Sequence, residues 1–124
     1  MAYPDDRKYT KDHEWLRLSG RVGDVGITDY AQQQLGDVVY VELPDIGAQI
    51  TAGEPFGSIE SVKAVSELFA PITGRVTAVN DHIRHHPETV NTDPHGTWII
   101  KLDVSDPGEA ASLLDSKQYQ DLLG

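Results

Sequence analysis

Apolar and polar side chains begin to alternate at Trp15-Leu16-Arg17-Leu18, the pattern of a half-buried strand. Ser19-Gly20 supplies a turn, and Val22, Val25 and Ile27 predict the returning strand. Thr28-Asp29 offers a side-chain cap to a helix over 30–35, which Gly36 closes. The β-branched run over 38–43 predicts another strand, ended by a turn at Pro44-Asp45-Ile46-Gly47. From 48 to 79, short apolar stretches are punctuated by Gly53, Pro55, Gly57, Pro71 and Gly74. That spacing fits an antiparallel sandwich or small barrel and not βαβ units. The polar stretch 81–90 has room for one or two helical turns, with Pro87 suited to a first helical position. A last strand is expected over 97–104, carrying Trp98, Ile100 and Leu102 on one face. Asp106-Pro107-Gly108-Glu109 has the form of a capping-box start. Leu113, Leu114, Tyr119, Leu122 and Leu123 then give a C-terminal helical segment over 106–124, broken near Ser116 and packed on the sheet. Residues 1–8 are expected to form a flexible tail.

The length of 124 residues fits one domain, so the chain is read as a single unit over 1–124. A P-x-x-G turn entering a β-branched strand occurs at Pro44 and again at Pro71, an echo that two sheets related by an approximate two-fold would produce. No apolar run approaches the ~18 residues of a membrane span. The first ten residues lack both a secretory signal and the Arg/Ser-rich look of a transit peptide. A cytoplasmic location is expected, or a mitochondrial matrix location if a transit peptide has been removed. With no cysteine, the sequence has no disulfide, no thiol nucleophile and no Cys-ligated zinc, so any redox chemistry must come from an added group. The formal net charge of −10 repels nucleic acid and suits steering toward basic docking sites on other proteins.

The candidate chemistry sits between 59 and 67. Strand-like residues over 56–60 and 65–69 flank Lys63 closely enough to form a hairpin with the lysine near its tip, although no Asn-Gly or Gly-x pair marks a turn there. Other constellations are weaker. His82, His85 and His86 fall at i, i+3 and i+4, but Arg84 and Pro87 interrupt the segment, and a solvated loop is favoured over a metal site. Ser58 and Ser61 lack a nucleophile elbow, and Glu60 and Glu67 at an exposed hairpin would be too wet for acid–base work.

Glu60-Ser61-Val62-Lys63-Ala64 resembles the lipoylation motif of glycine cleavage H proteins. The likeness continues through His13-Glu14-Trp15, Val25-Gly26-Ile27-Thr28-Asp29-Tyr30-Ala31, Leu35-Gly36-Asp37, Val41-Glu42-Leu43-Pro44, Ala70-Pro71-Ile72-Thr73-Gly74 and the stretch over 91–98, in order and across nearly the whole chain. The resemblance implies a mainly β fold, a lipoyl/biotinyl-type hybrid sandwich-barrel of short antiparallel strands with a few short helices. It implies a non-catalytic, monomeric carrier with lipoic acid amide-linked to Lys63, and with Glu60, Ser61, Val62 and Ala64 as the recognition motif. The implied partners are a pyridoxal-phosphate glycine decarboxylase, a tetrahydrofolate-dependent aminomethyltransferase, an FAD dihydrolipoyl dehydrogenase, and a lipoyl or octanoyl transferase or lipoate ligase. Carried over by position, Glu14 and Glu67 would line a cleft that shelters the loaded arm; Asp12 stands where a small hydroxyl residue often precedes His13-Glu14. The family resemblance also leaves room for a lipoyl relay that donates lipoate to other complexes. A lipoyl domain of a 2-oxoacid dehydrogenase fits less well, since such domains lack the His13-Glu14-Trp15 start and the terminal helix. A biotinyl domain would place methionines beside the lysine, where Val62 and Ala64 stand.

Overall fold

The computed structural model describes residues 3–124. Its strands are β1 (Lys8–Tyr9), β2 (Glu14–Ser19), β3 (Val22–Ile27), β4 (Val38–Glu42), β5 (Gln49–Ile50), β6 (Pro55–Ser61), β7 (Val65–Phe69), β8 (Gly74–Val79) and β9 (Ile100–Val104). They form a six-stranded sheet in the order β1-β2-β3-β9-β8-β5 and a three-stranded sheet in the order β4-β6-β7. Every pairing is antiparallel. Leu16, Val25, Ile27, Val41, Ile59, Leu68, Val76, Ile100, Leu102 and Val104 fill the space between the sheets and are essentially dry. Burying one such side chain is worth about 1.5–3 kcal/mol.

Helix α1 (Asp29–Leu35) begins where the Thr28 hydroxyl accepts the Ala31 amide, and ends at Gly36 with φ +75°, a conformation that glycine reaches without strain. Short helices α2 (His82–His85) and α3 (Thr89–Thr92) follow, and Pro87 stands just ahead of the second one's cap instead of at a first helical position.

Several expectations are corrected. The last strand starts at Ile100, not at residue 97. Trp98 and Ile99 lie ahead of the strand, and Ile99 and Ile100 are both fully buried, so the strand's alternation does not extend back to Trp98. Trp98 packs with Tyr9, Trp15 and Tyr119 in a second cluster, away from Ile100 and Leu102. The two P-x-x-G segments do not relate the two sheets to one another. They lie side by side in one sheet, where Gln49 faces Arg75 and Ile50 faces Gly74.

The C-terminal segment splits into a 3-10 helix (Pro107–Ser112) and α4 (Ser116–Leu123). The capping box is at Asp115 and Gln118, not at Asp106, because Glu109 turns away and accepts the Thr73 amide. Tyr119 from α4 stacks on Tyr9 at 4.9 Å between centroids, and Tyr9 exchanges both backbone hydrogen bonds with Leu114. From Tyr3 onward the expected tail is packed: Ser116 donates to the Tyr3 carbonyl, and Arg7 is buried with its guanidinium 4.4 Å from the Trp15 ring centroid. The first two residues of that expectation lie outside the described range.

Candidate functional site

Val62 and Lys63 form the tip of the three-residue loop 62–64 between β6 and β7, and both are exposed. Ser61, itself buried, closes the turn. Its amide donates to the Ala64 carbonyl at 2.8 Å, while its hydroxyl accepts the Lys63 and Ala64 amides at 3.3 and 3.1 Å. Neither tip residue has a positive φ, so no glycine is needed. The Val62 amide donates to the Asp37 carbonyl at 3.0 Å and fastens the tip to the segment after α1. Asn91 holds that segment in turn: its Oδ1 accepts the Val38 amide and its Nδ2 donates to the Gly36 carbonyl. The Lys63 stem runs back over Gly36, where a β-carbon would lie 3.5 Å from Cε.

A cavity of about 340 Å³ opens beside the tip. Ala31, Gln34 and Leu35 of α1 form one wall, residues 64–68 the other, and Asp12, His13 and Glu14 the far end. β7 is the edge strand of its sheet. In the hairpin the Ser61–Ala64 pair is hydrogen-bonded, so outward-facing backbone groups fall at Val65, Glu67 and Phe69. The Phe69 amide indeed points outward, donating to Glu14 Oε2 at 3.3 Å. Glu67 thus reaches the cleft through its main chain, while its side chain shares the outer face of the sheet with Glu60 and Val65 by strand alternation.

Glu14 is 2 % exposed. Thr10 donates its hydroxyl to Oε1 at 2.6 Å, supplying the hydroxyl that Asp12 lacks. Burial pushes the Glu14 carboxyl up to about 7, against the pull of the Thr10 and Phe69 hydrogen bonds. A second cavity, about 370 Å³, is also lined by Glu14, together with Thr10, Ala52, Phe69, Pro71 and Leu113. His13 stands at φ +72°, the only non-glycine residue in the left-handed region among the described residues. Burial lowers its proton affinity, with Asp12 opposing.

The structure therefore brings Glu14 and the main chain of Glu67 to one cleft whose mouth adjoins Lys63. It leaves Glu60 outside the cleft, on the sheet's outer face with Tyr40 and Val65. Sequence reasoning missed Thr10, His13, Gln34 and Asn91 as parts of the site. A hydroxyl four residues before Glu14 was the one available signal for Thr10; Asn91 is far from Val38 in sequence and gave none. The histidines at 82, 85 and 86 stay apart from the site: the rings of His82 and His86 approach to 4.9 Å, and His86 Nδ1 lies 3.4 Å from Glu88.

Two packed antiparallel sheets, with one lysine lifted into solvent on a hairpin, define a lipoyl-domain-like sandwich barrel. The family model for the glycine cleavage H-protein matches residues 7–124. The chain is 55 % identical over 120 residues to the glycine cleavage system H protein of Acidobacterium capsulatum, covering 97 % of this chain and 93 % of that one. It is 50 % identical over 124 residues to the protein of the same name from Anoxybacillus flavithermus, covering 99 % and 98 %. The crystal structure of a glycine cleavage system H protein from Mycobacterium marinum matches with a TM-score of 0.91 at 37 % identity, covering 98 % of this chain and 99 % of that one. The chain belongs to the glycine cleavage H-protein family.

Proposed function

We propose that the chain is the lipoyl carrier of a glycine cleavage system, with lipoate amide-linked to Lys63 Nζ and the arm resting in the cleft that ends at Glu14. The observation that carries this reading is the continuity of an exposed lysine tip with a cleft whose far end is a buried carboxyl. When bound, the lipoyl group supplies the redox sulfurs that a cysteine-free chain lacks and the point of attachment for an aminomethyl cargo. Everything else is done by residues of this chain.

The β6–β7 hairpin and the Ser61 hydroxyl hold the lysine at an exposed turn, where an acylating enzyme reaches it, and Glu60, Val62 and Ala64 flank it as the surface that enzyme reads. Ile27, Ala31, Leu35 and Ile59 offer the arm an apolar bed. The Glu14 carboxylate receives the cargo's ammonium in a charge-assisted bond worth about 1.5–3 kcal/mol when shielded from water. Because Glu14 titrates at about 7, accepting an ammonium near neutral pH is accompanied by release of a proton from its carboxyl. Main-chain carbonyls at Val65 and Glu67 on the free edge of β7 are further acceptors for the same group.

The protein acts as a carrier and not as an enzyme. Its partners are the pyridoxal-phosphate decarboxylase, the tetrahydrofolate-dependent aminomethyltransferase and the FAD dehydrogenase, drawn to a chain of net charge −10 through basic docking sites. The proposed location is the cytoplasm, a reading supported by the bacterial source of similar chains. Among the described residues no helix is long and apolar enough to cross a membrane. The test is reconstitution: the lipoylated chain, incubated with glycine and the pyridoxal-phosphate decarboxylase, should gain an aminomethyl group on its arm. A lipoylated chain that gains none would overturn the proposal.

A further inference from the structure

The buried hydroxyl of Thr28, the phenol of Tyr119 and the imidazole of His13 form a chain of hydrogen bonds that ends at the cleft. Thr28 Oγ1 lies 2.8 Å from Tyr119 Oη, and Tyr119 Oη lies 2.8 Å from His13 Nδ1. The direction of the protons follows from counting acceptors. Thr28 is fully buried, and its oxygen already accepts the Ala31 amide at the start of α1. Among the described residues, Tyr119 Oη is the one acceptor within reach of the Thr28 proton. Reversing the chain would strand that proton in the core without an acceptor. Thr28 therefore donates to Tyr119, and Tyr119 donates to His13 Nδ1. With Nδ1 serving as an acceptor, the ring proton sits on Nε2.

His13 Nε2 has no partner among the described residues. No side-chain polar atom there is both buried and unpaired, so this nitrogen touches solvent. His13 itself forms part of the cleft wall beside Glu14 and is held in the left-handed region, a strained conformation for a non-glycine residue. Such strain persists where the surroundings fix it, here through the His13 carbonyl accepting the Thr28 amide, the Tyr30 ring at 4.6 Å and the bond to Tyr119.

We propose that His13 is a positioning residue for the arm: the Thr28–Tyr119 relay fixes its neutral Nε2–H form, and that N–H donates to an acceptor at the sulfur end of the arm while Glu14 takes the ammonium. This rests on the carrier reading of the previous subsection. The neutral form matters because an imidazolium would place a second cation beside the ammonium that Glu14 is built to hold. The C-terminal helix α4 thereby contributes to the cleft without lining it.

Two measurements test the proposal. The tautomer is read on the unmodified chain by nitrogen-15 NMR, so it is decided whether or not Lys63 is acylated. A protonated Nε2 with an acceptor Nδ1 is expected, giving way to a tautomer mixture in Tyr119→Phe; a protonated Nδ1 in the wild type overturns the proposal. The second reads the lifetime of the loaded arm by intact mass in wild type, His13→Gln and His13→Asn. Glutamine carries an N–H at the reach of Nε2. Asparagine keeps a polar atom for Tyr119 and tolerates a positive φ better than most residues, but its side chain ends at the reach of Nδ1. Loss of one neutral hydrogen bond predicts a lifetime about tenfold shorter for His13→Asn and within about twofold of wild type for His13→Gln. Equal lifetimes in all three, or rescue by asparagine and not by glutamine, refute the donor role. Lipoylation, followed in the same spectra, should be equal in the three chains. A wild type that takes up no lipoate fails the carrier reading and leaves the tautomer result standing.

Discussion

Replacing Glu14 by glutamine should make the protein's stability less dependent on pH. The carboxyl is buried and titrates at about 7 in the folded chain, against an ordinary value of 4.5. The fold thus favours the protonated form. A raised carboxyl contributes its stability fully below the unfolded value, and that contribution is lost as pH rises through the folded value. Each tenfold change in proton affinity corresponds to about 1.4 kcal/mol, so wild type should lose about 3 kcal/mol from this group between pH 4.5 and pH 8. Glu14→Gln keeps one oxygen for the Phe69 amide, turns its NH2 group toward the Thr10 hydroxyl oxygen, and has nothing to ionise. Urea unfolding of the two unmodified chains at pH 5 and pH 8 measures the difference. The gap in stability should move by about 2.5 kcal/mol in favour of Glu14→Gln between these two pH values. Parallel profiles, with the gap moving by less than about 0.5 kcal/mol, would mean that the carboxyl is not desolvated as described and that its coupling to an ammonium is lost with it.

Further perturbations test the frame around the cleft. Lys63→Arg should change unfolding stability by less than about 0.5 kcal/mol, since the side chain is exposed; a larger loss would show a buried lysine. Asn91→Ala removes the acceptor of the Val38 amide and the donor to Gly36, and should cost about 2 kcal/mol in urea unfolding; a cost near zero would mean the clamp is not formed. Gly26→Ala drives a β-carbon into the Trp15 indole, whose Nε1 is tied to the Pro94 carbonyl, and should cost about 2–3 kcal/mol by the same assay; near-neutral behaviour would show that the ring has room to shift.

Much of this was legible in the sequence wherever a local rule governs. Thr28 and Gly36 announced α1 by cap chemistry, and the Gly/Pro punctuation over 48–79 gave short antiparallel strands. The lysine tip was found by flanking strands and by family resemblance, not by turn residues, because a serine hydroxyl does the work that a positive φ does in an Asn-Gly hairpin. Where two elements compete for a residue, local reading failed. Glu109 looked like the return arm of a capping box, but the Thr73 amide from a distant turn claims it. Trp98 looked like part of a strand face, but β9 begins only at Ile100, so the indole lies outside the strand alternation and joins the second cluster. The N-terminal residues read as a tail because their partners, Tyr119 and Ser116, lie at the other end of the chain. Glu67 was expected to face the cleft with its carboxylate, but the register of β6 against β7 turns that side chain to the outer face of the sheet and only the main chain toward the cleft.

The most direct test of the carrier account is acylation of the folded chain. Incubation with lipoate, ATP and a lipoate ligase, followed by intact mass and peptide fragmentation, should give one lipoyl group per chain, located on Lys63 alone. A chain left unmodified, or one modified at Lys8, Lys11, Lys101 or Lys117 with Lys63 free, would contradict it.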